Sequence, residues 1–523
     1  MAPPPYKVMY LVCVSIKPKV VFKDYDSQQM LLLPPDLSEL IPASHPVRII
    51  QRVIDGLDLA PLLKQYKGGG SSSYHPRMLL KVLVYGYLEN VYSSRKLEAA
   101  VQQNIHFMWL SGMSRPDHNT INRFRSDRLK GVFKQLFGQV VQLLVEQGVV
   151  NIKQAYLDGT KIEANANRYT FVWGKAIKTN KSKIKQQLDE LWEYAEGLAK
   201  AELADSSPTS YEALEPEQVE AAIDKLNEVL KDKPANKKVS QKLSYGKKNW
   251  PDKLRAYKEK EKLLAHRGSY SKTDPDATFM RMKEDHMKNG QLKPGYNLQI
   301  STNEQFILNY TIHQTTTDYS TLEPHLNQFY DLYHLLPQEL CADAGYGSEE
   351  NYELLKKKEI EGYVKFNYFH KEQTKKWKED AFKPANLYYN PEQDCYYCPM
   401  GQPMKPIGQH KRTTSTGFQQ TITRYQAKNC KGCPLQGSCH GQKTNRIIEV
   451  NHNLNAHKQI MRERLNSEKG LRHRSNRPQD VEAVFGAIKA NRNFRRFLLR
   501  GIEKVEIEAG LLAMAHNIKK MAA

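Results

Sequence analysis

The chain predicts an α/β protein in which a mixed sheet follows a helical region and is split by two insertions, one helical and one rich in cysteine. Three observations carry this. β-rich runs resume on either side of a long Lys-rich stretch with helical periodicity; strand and helix signals then alternate; and five of the seven cysteines crowd into residues 395–439.

Residues 1–29 read as an N-terminal extension. Charged KPKVVFKDYD follows the apolar run VMYLVCVSI directly, with no small-residue cleavage site, so roughly the first 20 residues look like an added or misassigned start. Residues 30–150 form a helical region. In it HPRMLLKVLVYGYLENV spaces its apolar residues by three and four, after a flexible Gly-Gly-Gly-Ser-Ser-Ser joint at 68–73. SRPDHNTINRFRSDRL reads as turn, cap and basic helix, with Asn119 or Thr120 as cap and Arg123, Arg125 and Arg128 exposed. This is either the second helix of a helix-turn-helix unit or an ordinary helical pair with a solvated basic face.

Residues 151–174 turn β-rich and open the core, and 175–268 are the Lys-rich insertion. Ile184, Leu188, Leu191 and Leu198, then Val219, Ile223, Leu226 and Leu230, keep helical register, which predicts a helical hairpin or small coiled coil turning through ADSSPTSYEALEPEQ. Residues 269–384 return to the core: two β-rich runs around STNEQ, a helix with a Ser320 capping box, the short strand ELCADAG, a helix and the strand EGYVKF. Residues 385–445 are the cysteine-rich insertion, and 446–523 a C-terminal helical part of the core.

Lys plus Arg outnumber Asp plus Glu by 78 to 57, and the isoelectric point is near 9.3. Such a field attracts a polyanion. Mean hydropathy is −0.67, and no run approaches the roughly 20 apolar residues that span a bilayer, which points to nucleic acid and away from membrane. Clustered cysteines without a secretion signal indicate metal binding in a reducing cytoplasm rather than disulfides.

Three acids stand in distinctive frames. Asp158 lies in AYLDGTKIEANANRYTF, either at the left-handed position of an Asp-Gly hairpin turn or on the first core strand. Asp343 in ELCADAGYGSEENYELL sits where a strand hands over to a Gly turn and a helix, as a ligand-facing residue or as a cap. Glu482 flanks the stripe Val481, Val484, Phe485 and Ile488 on a helix opened by Pro478. At 100° per residue Lys489 falls about 20°, Arg496 about 40° and Arg492 about 80° from Glu482, lining up one carboxylate and three cations. Residues 471–500 hold eight Arg or Lys against two acids, more than intrahelical pairing uses. Carboxylates gathered by folding make an oxygen site for ions such as Mg²⁺, and arginines beside them suit phosphate.

Cys395-Tyr-Tyr-Cys398 and Cys430-Lys-Gly-Cys433 are two CxxC knuckles with 31 residues between them, the spacing of a four-thiolate zinc-ribbon-like site. Cys439 or His440 offers a replacement for one ligand. Such a site is closed to substrate, so this Zn²⁺ is structural.

The frames YLDGTKIEANANRYTF, CADAGYGSEENYELL and VEAVFGAIKANRNFRRFLLRG resemble the acidic motifs of DDE-type insertion-sequence transposases with an RNase H-like core, and the two insertions look like the group numbered eleven-eighty-two. The resemblance runs from about Phe22 to the C-terminus. It implies that Asp158, Asp343 and Glu482 hold two Mg²⁺ ions, for which Mn²⁺ can substitute, and that the chain cleaves and transfers DNA strands at the terminal inverted repeats of its element. It further implies a homo-oligomer that brings two ends and a target DNA together in the bacterial cytoplasm, at the nucleoid. Related families place an Arg shortly before the glutamate and a basic residue after it; Lys489 fits the second, and Arg474 and Arg477 both offer the first. Base reading falls to Arg123 and Arg125, and phosphate contact to Lys489, Arg492 and Arg496. The alternatives are a catalytically inactive or domesticated zinc-containing DNA-binding protein, against which the intact acids weigh, and a nuclease that never joins strands.

Overall fold

The computed structural model describes residues 36–66, 73–203, 215–234, 236–282, 291–441 and 443–522, with side chains omitted for 200–203. The expected misassigned start, the Gly/Ser joint apart from Ser73, and most of the turn ADSSPTSYEALEPEQ lie outside them. The chain divides into units at residues 1–42 and 43–523. Of the first, residues 36–42 form turns, with Ser38 N donating to Asp36 Oδ1 at 2.9 Å.

In the second unit thirteen strands are described: β1 (Gln154–Glu163), β2 (Phe171–Trp173), β3 (Ser269–Ser271), β4 (Thr278–Arg281), β5 (Leu292–Asn303), β6 (Phe306–His313), β7 (Glu339–Ala342), β8 (Glu361–Val364), β9 (Tyr388–Asn390), β10 (Cys395–Tyr397), β11 (Pro403–Thr413), β12 (Gln419–Ala427) and β13 (Ile447–Val450). β5 pairs antiparallel with β1 on one side and on the other with β4 and then β6; β7 and β8 continue beyond β1 in parallel. An antiparallel half giving way to parallel strands, with helices packed on it, is a mixed α/β architecture compatible with an RNase H-like core.

The edge strand β6 is covered by the helix Ile502–Met521, whose buried Asn517 accepts from Ile307 N and donates to Ile307 O, both at 2.8 Å. One side-chain amide thus satisfies the backbone pair that the sheet leaves open. The same helix packs on Pro76–Leu88, so the N-terminal helices and the sheet share one core. Nearby, the helix His118–Arg123 is capped by Asp117, which accepts from Thr120 N at 2.8 Å. The sequence reading placed that cap at Asn119 or Thr120, which lie inside the first turn. The Ser320 capping box is likewise absent: the helix begins at Leu322, and Thr321 Oγ1 donates to Asp318 O instead.

Between β2 and β3 the described residues of the Lys-rich segment form three helices, Gly174–Leu203, Pro216–Val229 and Lys237–Leu264, one more than expected. They meet on Leu188, Ile223, Leu226, Trp250 and Leu254. The cysteine-rich segment forms an antiparallel sheet in the order β13-β12-β11-β10-β9 around Tyr396, Met404 and Tyr425. Two helices follow, His452–Asn466 and Glu468–Arg477; a Cβ at Gly470 would stand 1.9 Å from Arg464 O, so only glycine allows this tight corner. No helix among the described residues is long and apolar enough to cross a membrane.

Candidate active site

Strand register sets the first two acids side by side. In the parallel pair β1–β7, Leu157 is opposite Ala342, so the next residues, Asp158 and Asp343, emerge as neighbours where β7 ends. Asp158 is not in a hairpin turn: it lies within β1 opposite Ile300, and Gly159 lies opposite Gln299. Asp343 caps the short turn Ala344–Tyr346 and accepts from Ala344 N at 2.7 Å.

The third acid arrives on the helix that continues from Glu468–Arg477 through a π-turn at Pro478–Glu482. Residues five apart stand about 140° apart on an α-helix. A turn closed i→i+5 brings them nearly above one another, which aligns Arg477 with Glu482. Arg477 Nη1 meets Glu482 Oε1 at 3.0 Å, and Nη2 meets Asp158 Oδ2 at 3.0 Å. The Arg477 side chain is 4% exposed, Asp158 10% and Glu482 54%. Burial opposes the Arg477 charge, but Asp158, Asp343, Cys341 and Glu482 outweigh it and raise the guanidinium pKa. All three acids therefore act on one buried cation. Cys341 lies on the same ground, where burial pushes its thiol up to about 12.

A polar network the sequence did not reveal backs both aspartates from the other sheet face. A Cβ at Gly159 would fall 2.2 Å from Gln299 Nε2 and 2.8 Å from Asp318 Oδ1, and one at Gly345 would fall 3.2 Å from Asp318 Oδ2. Asn297 and Gln299 donate to Asp318 Oδ1 at 2.7 and 2.9 Å, and Tyr346 Oη donates to Gln299 Oε1. Asp318 thus abuts the glycine after Asp158 and the turn after Asp343. The sequence signal is a glycine close after each aspartate, Gly159 next to Asp158 and Gly345 two residues past Asp343.

The basic residues expected at DNA scatter. The helix stops at Asn491 after a second π-turn, and Asn493 takes a left-handed φ of 49°, so the angular count beyond Lys489 fails. Arg492 is 3% exposed and donates to Tyr87 O and Ala515 O at 3.2 and 3.3 Å. Arg125 is 2% exposed, donates to Tyr92 O at 2.8 Å and helps balance the fully buried Glu508. Both are interior cations rather than surface contacts: Arg492 meets the open carbonyl of Tyr87 in the last turn of Pro76–Leu88, and Arg125 faces the buried Glu508 carboxylate of the C-terminal helix. Arg496 is exposed but donates to Ala164 O and Ala166 O. Arg474 is half-buried, 5.1 Å over the Phe369 ring, and bonds Leu465 O at 3.2 Å. Lys489 is half-buried and Arg123 exposed. Of the two upstream arginines left open by sequence, Arg477 is the one at the acids.

Cys398, Cys430, Cys433, Cys439 and His440 line one small pocket with Arg446. Cys395 is elsewhere: it is buried in β10, with its thiol 3.7 Å from Gln393 Oε1. Arg446 Nη1 donates to Cys439 Sγ at 3.0 Å and Arg446 N to Cys430 Sγ at 3.4 Å, while both ring nitrogens of His440 are buried without a partner. As they stand, no three His, Cys, Asp or Glu among the described residues form a group that could hold a metal ion. At both sites a guanidinium occupies ground that the donor atoms could give to a cation.

Residues 397–522, which carry the cysteine pocket and Glu482, match the family model described as a transposase DDE domain. Residues 35–127, the helical region with Arg123 and Arg125, match the one described as a transposase domain, DUF772. No curated protein and no solved structure matches the chain. Two transposase models matched in one chain, the DDE model lying over the helix that brings Glu482 to Asp158, identify it as consistent with a DDE-type insertion-sequence transposase.

Proposed function

We propose that the chain cleaves the ends of its insertion element at the terminal inverted repeats and transfers them to target DNA, using Asp158, Asp343 and Glu482 to hold two Mg²⁺ ions, or Mn²⁺ in their place. The convergence of these acids on Arg477 supports the reading. Divalent ions held there would polarise an attacking water or 3′-hydroxyl and steady the leaving oxygen of an in-line displacement. The chain's own contribution is placement. The β1–β7 register holds two carboxylates side by side, one within β1 and one just past the end of β7, the Asp318 network fixes the backbone behind them, and Arg477 neutralises the cluster until cations take that role. Freed from the carboxylates, Arg477 is positioned to clamp a phosphate oxygen.

Double-stranded DNA is the partner, a homo-oligomer joins two element ends to a target, and the work takes place at the nucleoid in the bacterial cytoplasm. A structural Zn²⁺ belongs to Cys398, Cys430, Cys433 and Cys439, whose thiols surround one pocket from which Cys395 is absent. The test is a cleavage and strand-transfer assay on duplexes bearing the element ends. Asp158→Asn, Asp343→Asn and Glu482→Gln should each abolish Mg²⁺-dependent cleavage and retain DNA binding. Near-normal cleavage by any one of them removes that residue from the site, and cleavage without joined products makes the protein a nuclease.

A further inference from the structure

Past Asn491 the helix that carries Glu482 meets the N-terminal helical region. Tyr92, in the loop between Pro76–Leu88 and Ser94–Gln103, donates its hydroxyl proton across 400 residues of sequence to Arg492 O at 2.8 Å. Its ring meets Phe494 edge-on, 5.1 Å between centroids. The Arg492 guanidinium reaches back to Tyr87 O at 3.2 Å, and Arg125 Nη1 donates to Tyr92 O at 2.8 Å. Farther on, Leu498 N and Leu499 N donate to Glu508, whose buried carboxylate faces Arg125. The loop itself is held by close approach: Val91 N donates to Gly86 O at 2.7 Å, and a Cβ at Gly86 would stand 2.4 Å from Leu97 Cδ2. The same segment is laced to β1, for Glu163 N donates to Arg495 O at 3.2 Å and Phe497 N to Glu163 O at 2.9 Å. The strand that brings Asp158 and the helix that brings Glu482 thus both lead to the stretch that Tyr92 grips.

What the grip controls is helix rotation. Pro478–Glu482 and Ala487–Asn491 are both π-turns, and a turn closed i→i+5 holds one residue more than a turn closed i→i+4. Gaining or losing that residue rotates the helix beyond it by about 100°, enough to carry a carboxylate off the face it must present. Glu482 closes the first π-turn, and the second ends one residue before Arg492. Its setting is therefore fixed from one side by Arg477 and from the other by the contacts at Arg492. When Arg477 is drawn off the carboxylates, the Arg492 end alone holds it. A carbonyl at a helix end lacks an intrahelical donor, and the half-buried Tyr92 supplies one.

We propose that Tyr92 is a positioning residue through which the N-terminal helical region sets the rotation of the Glu482 helix. It acts on the Arg492 carbonyl and not on the reacting atoms. The inference rests on the assignment of Glu482 to the acid set and adds that this set is complete only while the helical region is seated on the segment after Asn491. A tyrosine that served packing alone would stabilise the whole unit evenly, whereas a rotational hold acts on residues 483–491 first.

Hydrogen–deuterium exchange of the full-length protein in chelator reads this setting directly, without DNA or metal. Tyr92→Phe removes the donor and keeps the ring packed on Tyr87 and Phe494. It should speed exchange of the 483–491 amides about tenfold, the size of one lost hydrogen bond whose carbonyl stays open, and leave β1 and Pro76–Leu88 as in the parent. Tyr333→Phe is the control: it deletes a like hydroxyl-to-carbonyl bond, to Leu308 O, from another helix and should leave 483–491 unchanged. On duplexes bearing the element ends, Tyr92→Phe should bind like the parent and cleave about tenfold more slowly. Unaltered exchange at 483–491 overturns the proposal, and so does an equal rise across the whole unit, which would make Tyr92 a packing residue. If 483–491 loosens as expected but Glu482→Gln cleaves normally, the rotational hold stands and Glu482 leaves the acid set. If the acid variants lose cleavage while Tyr92→Phe changes neither exchange nor rate, the active-site reading stands and the hold fails.

Discussion

Arg477 bridges Asp158 and Glu482, 3.0 Å from each, and does so from a side chain that is 4% exposed. The partner of two metal-ligand candidates is thus a cation supplied by the chain itself. Removing one member of a buried pair leaves the other charged and desolvated, a loss on the order of 3–5 kcal/mol. Arg477→Ala should therefore lower unfolding stability by about that much in chelator. Millimolar Mg²⁺ should restore part of it, since a bound cation takes over the neutralising charge. Denaturant curves with and without Mg²⁺ measure this; an equal loss under both conditions would show that Arg477 serves packing alone.

The cysteine pocket predicts about one zinc per chain. Cys398→Ser, Cys430→Ser, Cys433→Ser and Cys439→Ser should each lower the bound metal sharply, and Cys395→Ser should leave it in place. Metal analysis of freshly reduced protein decides the matter, and a Cys395 variant that loses zinc while Cys439→Ser keeps it would restore the ligand set read from the two CxxC pairs.

Burial separates the basic residues into two kinds. Arg123→Gln and Lys489→Gln should each weaken specific and random DNA alike and flatten the log–log salt dependence by about 0.9. Arg492→Gln should instead lower stability by roughly 1–3 kcal/mol, because Tyr87 O, a carbonyl in the last turn of its helix, loses its donor in the interior, with the salt slope unchanged once the protein is folded. Salt titrations of the three variants, with thermal melts alongside, would expose any exchange of these roles.

Acid should weaken the docking of the last helix. His516 Nε2 donates to Gln305 O at 2.9 Å from a largely buried ring, and burial pushes its imidazole down from 6.5 to about 4. The unfolded chain takes up this proton below about 6.5 while the folded chain resists until about 4. Stability from this group is therefore complete above pH 6.5 and drains away as pH falls toward 4. His516→Gln should flatten the dependence of stability on pH across that window by up to about 1.4 kcal/mol per pH unit. An unchanged slope would assign the acid sensitivity to other buried groups, among them His313, which burial also holds at about 4.

The alternation of strand and helix signals, the apolar stripe Val481, Val484, Phe485 and Ile488, and the frames around Asp158, Asp343 and Glu482 were legible in the chain because periodicity and turn chemistry are local. That the three acids face one buried cation was not local. It required the parallel register of Leu157 with Ala342, and a π-turn after Arg477 that no hydrophobic pattern announces. The helical count from Glu482 held only while the helix did; past Asn491 the chain doubles back along Glu163, so Arg492 turns inward and Arg496 meets backbone carbonyls. Charge by itself pointed to a polyanionic partner for the whole molecule, but which arginines face solvent is decided by the buried carbonyls and carboxylates they must satisfy, and those come together only in three dimensions.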